Sequence, residues 1–245
     1  MIHFPRLSVG KDHYQLRELT FGQSIKVAKI PEHCNEQRLS AFLAAALDDQ
    51  SLALTLPVQL RYWLLLQYLS AQSGTLVDAH TDYAPYLVVG QEEWVEELSL
   101  DGLTVRQLSG LQAEVIDSAC EDVADRVLAA MAFQLVSYQG FDPLPQQPTQ
   151  QNLWKVVLQR AEILRNLPES EFDALFDRYQ AHCTQMATLL RTGFDNTGVV
   201  IFGGAANQAA RFRPATAFGF VTTQLAEHFI EQGTEINNGL SDVDV

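Results

Sequence analysis

The sequence has no apolar run long enough to cross a membrane. The densest stretch, Leu60 to Leu69, is interrupted by Arg61 and Gln67. It falls short of the roughly 20 apolar residues that a membrane-spanning helix requires. We therefore expect no membrane association.

Cysteine is also scarce, with Cys34, Cys120 and Cys183 widely spaced along 245 residues. Three cysteines cannot form a disulfide framework in pairs, and their scarcity suits a reducing compartment. The first residues, 1–6, lack the apolar middle of a secretion signal. Together these features predict a protein that works in the cytoplasm.

Strong catalytic signatures are missing as well. The sequence contains neither a Gly-x-Ser-x-Gly nucleophile motif nor a His-Glu-x-x-His zinc motif. Gly203 to Asn207 lacks the glycine spacing of a dinucleotide site, and Asp78, His80 and Asp82 fit a polar loop better than a metal site. We expect a non-enzymatic protein without cofactor or metal.

Positive charge is the other shortage, since 16 Lys and Arg stand against 30 Asp and Glu. Between Asp78 and Asp125 the imbalance is extreme, with 12 acidic residues and the single base Arg106. A surface built from this segment attracts basic partners and repels phosphate. Direct binding to nucleic acid is therefore not expected.

The same segment contains the most regular helical pattern. From Leu111 to Leu135 apolar residues recur every four positions, which predicts one helix over about 104–135 with a small break near Ser109. Its polar side predicts a candidate partner-binding surface of five carboxylates: Glu114, Asp117, Glu121, Asp122 and Asp125. A solvated face is the commonest origin of such a line. Docking of a basic segment, imitation of nucleic acid and binding of a divalent cation are the alternatives.

The remaining patterns predict a mainly α fold, a helical bundle with a small N-terminal β-hairpin and a C-terminal helical lobe. Residues 1–140 form the hairpin and helical domain, and the Pro- and Gln-rich segment 141–151 is an extended linker. Residues 152–245 carry two packed antiparallel helices, a short strand near Val199 to Phe202, a last helix near 222–232 and a polar tail.

The order of N-terminal segments resembles tail and baseplate assembly proteins of tailed phages. The similarity lies in Leu16 to Gly22, Ile25 to Glu32 and Asn35 to Leu43, and again in Leu103 to Leu135. These are patterns of helix starts and apolar positions over roughly the first 135 residues, without a catalytic signature.

The resemblance implies a non-enzymatic tail assembly chaperone in the host cytoplasm, which shields or positions a tape-measure or baseplate hub subunit. One alternative is a permanent structural subunit of the virion tail or baseplate, held in a ring or wedge by its terminal segments; homo-oligomers are compatible with both. A further alternative is an acidic decoy of a nucleic-acid-binding protein.

Overall fold

The computed structural model describes residues 2–72, 83–87, 94–203 and 208–214. The helices are α1 Phe21–Ala28, α2 Asn35–Leu47, α3 Gln50–Thr55, α4 Val58–Gln72, α5 Gly110–Ala119, α6 Val123–Gln134, α7 Gln150–Arg165 and α8 Glu169–Gln185, with a 3-10 turn at Ala84–Tyr86. The strands are β1 Leu7–Val9, β2 Asp12–Tyr14, β3 Glu97–Leu100, β4 Leu103–Arg106, β5 Arg191–Asp195, β6 Gly198–Gly203 and β7 Gln208–Ala210.

The predicted mainly helical bundle is wrong, because the described residues form a mixed α/β structure. They are 52% helical and 16% strand, and the strands form small antiparallel sheets. The pair β3 and β4 turns through Asp101 and Gly102, both with positive φ. Asp-Gly favours a tight hairpin turn. This turn lies directly before the helical periodicity of residues 111–135, and the helical pattern alone does not predict it.

Local signals at the N-terminus gave correct predictions. The predicted hairpin is confirmed, but its second strand is Asp12–Tyr14, whereas the alternation in the sequence predicts a strand from Tyr14 to Leu19. Thr20 begins α1 with a capping box, in which its side chain and that of Gln23 each accept a main-chain N–H. The helix after Pro57, α4, is buried around nearly its whole circumference.

The predicted single helix over 104–135 is not observed. Thr104 lies in β4, and the helical part is divided into α5 and α6. Ser109 caps α5, and the Asp122 carboxylate caps α6 by accepting the Asp125 N–H at 2.9 Å. Each cap satisfies main-chain donors at a helix start, so it favours a new helix over a continuous one.

The segments on the two sides of the Pro- and Gln-rich stretch share one apolar core. The C-terminal helices contact the N-terminal part more than each other: α7 packs on α5 and α6, and α8 packs on β4. The stretch itself is non-helical up to Thr149 and passes directly into α7. After α8 the chain continues into β5, which includes Gly193.

Several predictions fall outside the described residues. They are the helix near 222–232, the polar tail from Asn237, the alternating Asp78, His80 and Asp82, and the acids Glu92 and Glu93. Within the described ranges, no helix combines the length and apolar character needed to cross a membrane.

Candidate functional site

The five predicted carboxylates do not form one continuous surface. Glu114 is 8% exposed, and its carboxylate accepts a hydrogen bond of 3.0 Å from the Gln150 side chain. Asp117 accepts the Glu36 main-chain N–H at 3.1 Å. Burial raises the pKa of Asp117, although this hydrogen bond and nearby Arg126 oppose the shift. Both carboxylates therefore contact the protein's own chain.

The remaining three lie around the start of α6. Asp122 caps that helix, and Asp125 forms an ion pair of 2.9 Å with Arg165 of α7. Glu121 and Asp122 are exposed. The five carboxylates are divided between α5, α6 and the turn that joins them, and of the five Glu121 and Asp122 are the exposed ones.

A buried charged cluster, which was not predicted from the sequence, joins α2 to α4. Arg61 and Glu36, both 0% exposed, form an ion pair of 3.2 Å. The Tyr62 hydroxyl donates to the other Glu36 oxygen at 2.5 Å and accepts from the Asn35 amide at 2.9 Å. The sequence signal for this cluster is the position of Arg61 inside an apolar run. A charged side chain that is buried with such a run needs a partner of opposite charge or a hydrogen bond.

Burial is the largest cause of the pKa shifts of Glu36 and Tyr62 in this cluster. It raises the pKa of the Glu36 carboxyl against the opposing effects of Arg61 and Tyr62. The same burial, with Glu36 nearby, raises the pKa of the Tyr62 hydroxyl. Because these side chains are enclosed, the cluster positions helices and offers no surface to a ligand.

An open groove of about 560 Å³ lies between α6, α8 and the β5–β6 hairpin. This volume falls within the range of roughly 300–1,000 Å³ typical of ligand sites. Its apolar lining includes Val58, Leu108, Val127, Ala130, Met186, Ala187, Phe194, Val199 and Phe202. Its polar lining includes Gln59, Gln107, Gln134, Tyr179, Gln180, Thr184, Arg191 and Thr192.

Buried glutamine amides hold one side of the groove in place. The Gln59 amide nitrogen donates to Gln107 Oε1 and to the Met186 carbonyl, both at 3.0 Å. The Gln107 nitrogen donates to the same carbonyl at 3.1 Å and to that of Val95 at 3.3 Å. Each amide thereby uses both of its N–H groups, so the end of α8, the start of α4 and β4 are joined.

Cys183 also lines the groove and gives a testable pH dependence. Burial raises the pKa of its thiol to about 11 from an ordinary value of 9.0. The folded protein thus holds this proton more tightly than the unfolded chain does. The stabilisation is complete below about pH 9 and is lost as the pH rises towards 11.

We expect Cys183→Ala to show a smaller loss of unfolding free energy between pH 8 and pH 11 than the unaltered protein, by roughly 1 to 2 kcal/mol. Urea unfolding at both pH values measures it. Cys34→Ala, which alters a thiol that does not line the groove, should keep the full dependence. Equal pH dependence in the two variants would contradict the buried-thiol interpretation.

The described residues contain no group of three or more His, Cys, Asp or Glu side chains that could hold a metal ion. Comparison with known proteins found no matching family model, no matching curated protein and no matching solved structure.

Proposed function

We propose that this protein is a non-enzymatic assembly factor that binds and positions or shields another component of a phage tail or baseplate. The client would be a tape-measure or baseplate hub subunit, bound in the host cytoplasm. The resemblance of the first 135 residues to tail assembly proteins supplies the biological context for the proposal.

The groove beside β5 is the observation that carries the binding role. Its apolar side chains can bury apolar side chains of a client, and main-chain groups of β5 can form hydrogen bonds with it. The lining is positioned on three sides by α6, α8 and the β5–β6 hairpin. Such a preformed groove can bind a client segment with little rearrangement of its own.

The exposed carboxylates of Glu121 and Asp122 have a secondary role in this proposal. Exposed charges outside an apolar groove accelerate encounter and discourage unsuitable partners more than they strengthen the complex. The decoy alternative receives no comparable support, because Glu114, Asp117 and Asp125 are engaged within the chain.

Affinity purification of the tagged protein from phage-infected cells, followed by mass spectrometry, tests the function. We expect a tail or baseplate subunit in stoichiometric amount, retained at moderate salt because apolar contacts are insensitive to screening. Recovery of no tail protein would contradict the proposal. Stoichiometric presence of the protein in purified virions would instead favour a permanent structural subunit.

A paired substitution tests whether the groove is the binding surface. Ala187→Trp introduces an indole into the groove and should reduce client recovery at least tenfold. Ala181→Trp makes the same change at an exposed α8 position outside the groove lining and should leave recovery unchanged. Equal recovery with both variants would place the client elsewhere.

A further inference from the structure

β5 is an edge strand, since the sheet order is β5-β6-β7 and β5 pairs only with β6 among the described strands. Residues Arg191 to Phe194 of this strand line the groove. In an antiparallel edge strand, every second residue directs its N–H and C=O away from the neighbouring strand. These groups form a template for another extended chain.

The charge of the groove is opposite to that of the whole protein. The chain has a net charge of -14, yet no Asp or Glu of the described residues lines the groove. Its charged lining residue is Arg191, an exposed side chain that makes no ion pair with the described residues. A guanidinium in this position can bind a carboxylate through two parallel hydrogen bonds.

The sheet provides an apolar surface next to this cation. At Gly193 an added Cβ would lie 2.6 Å from a ring carbon of Phe202, so the glycine allows the ring to lie across the strand. Phe194 and Val199 extend the apolar lining along the hairpin. A ligand that matches the groove therefore combines an extended main chain, apolar side chains and a carboxylate.

We infer that the groove binds an extended segment of the client protein that alternates apolar and acidic residues and adds as a strand to the edge of β5 that pairs with no described strand. Main-chain hydrogen bonds to β5 would supply affinity, and the contact between an Asp or Glu of the client and Arg191 would supply selectivity. This inference rests on the proposed binding function and specifies what the groove recognises.

A synthetic peptide, acetyl-Val-Asp-Val-Asp-Val-amide with a fluorescent label, is the probe for the first test. We expect it to bind the full-length protein at least tenfold more tightly than the matched peptide with Lys in place of Asp. Methylation of its main-chain nitrogens should also weaken binding at least tenfold, because it removes the N–H donors of the added strand. Fluorescence polarisation measures all three.

Charge reversal locates the selectivity. Arg191→Glu should weaken binding of the Asp peptide by roughly tenfold or more and improve binding of the Lys peptide. Lys155→Glu makes the same change in net charge at an exposed position of α7 outside the groove lining and should leave both affinities within about twofold. This pair separates a local contact from a general effect of protein charge.

The inference is overturned if the Asp and Lys peptides bind equally, if methylation has no effect, or if Arg191→Glu and Lys155→Glu change affinity alike. Failure of all peptides to bind, while the protein still captures a tail subunit sensitive to Ala187→Trp, overturns the inference and leaves the proposed function intact. Failure to capture any tail subunit overturns the proposed function itself.

Discussion

Replacing Arg61 with alanine is expected to lower the free energy of unfolding by about 3 to 5 kcal/mol. The Arg61 guanidinium donates to the Glu36 carboxylate at 3.2 Å, the Glu36 carbonyl at 3.0 Å and the Ala53 carbonyl at 2.9 Å. Its removal leaves Glu36 enclosed without a cation. Gly110 lies directly against the guanidinium, since an added Cβ there would be 1.7 Å from it, and as a glycine it has no side chain to fill the space that Arg61 leaves.

Urea unfolding followed by circular dichroism measures this loss. Arg17→Ala is the control, since Arg17 and Asp48 form an ion pair of 2.7 Å with side chains 65% and 69% exposed. Exposed pairs contribute less than about 1 kcal/mol. Replacing both buried partners, Glu36→Leu with Arg61→Met, should recover much of the stability lost in Arg61→Ala. A loss in Arg61→Ala no larger than in Arg17→Ala would disprove the role of the buried pair.

The second large effect is expected for Arg160→Ala, at about 2 to 4 kcal/mol of unfolding free energy. Arg160 is 2% exposed and donates to the carbonyls of Ala132 at 2.7 Å, Leu135 at 3.3 Å and Asp142 at 2.5 Å. Its guanidinium also lies 4.8 Å from the Phe141 ring centroid. The Arg160 side chain of α7 thus joins the end of α6 to the start of the Pro- and Gln-rich segment.

Arg165→Ala provides a control on the same helix, because the ion pair of Arg165 with Asp125 is 45% exposed on both sides. It should lose less than about 1 kcal/mol. Arg160→Lys should recover part of the stability, since an ammonium keeps the charge but cannot reach all three carbonyls. In limited proteolysis, Arg160→Ala should be cleaved faster within 141–149. Cleavage at an unchanged rate would show that Arg160 does not keep the Pro- and Gln-rich segment in place.

The predicted N-terminal hairpin, and α1 after it, depend on interactions among near neighbours. Thr20 and Gln23 cap α1 three residues apart, and Gly10 turns the first hairpin with positive φ. The prediction of a single helix over 104–135 is wrong for an equally local reason. Ser109 and Asp122 are both residue types that cap helices, and their caps interrupt a segment whose four-residue apolar period alone predicts one continuous helix.

The candidate sites required information that no local pattern contains. The acidic residues could be counted in the sequence, yet their burial and partners depended on where α5 and α6 turn. Arg61 stood out among apolar residues, but nothing in its neighbourhood identified Glu36, 25 residues away, as its partner. The groove draws on α4, α6 and the segment from α8 to β6, which lie in three separate parts of the chain.

The sequence by itself determined the local elements with clear caps and turns, the shortage of positive charge and the absence of strong catalytic motifs. The tertiary structure decided which charges are enclosed, which strand lies at the edge of the described sheet and where a groove opens. The physical reason is distance along the chain. Caps and turns join residues a few positions apart, whereas the Gln59 contact with Met186 joins residues 127 positions apart and forms only when the whole core packs.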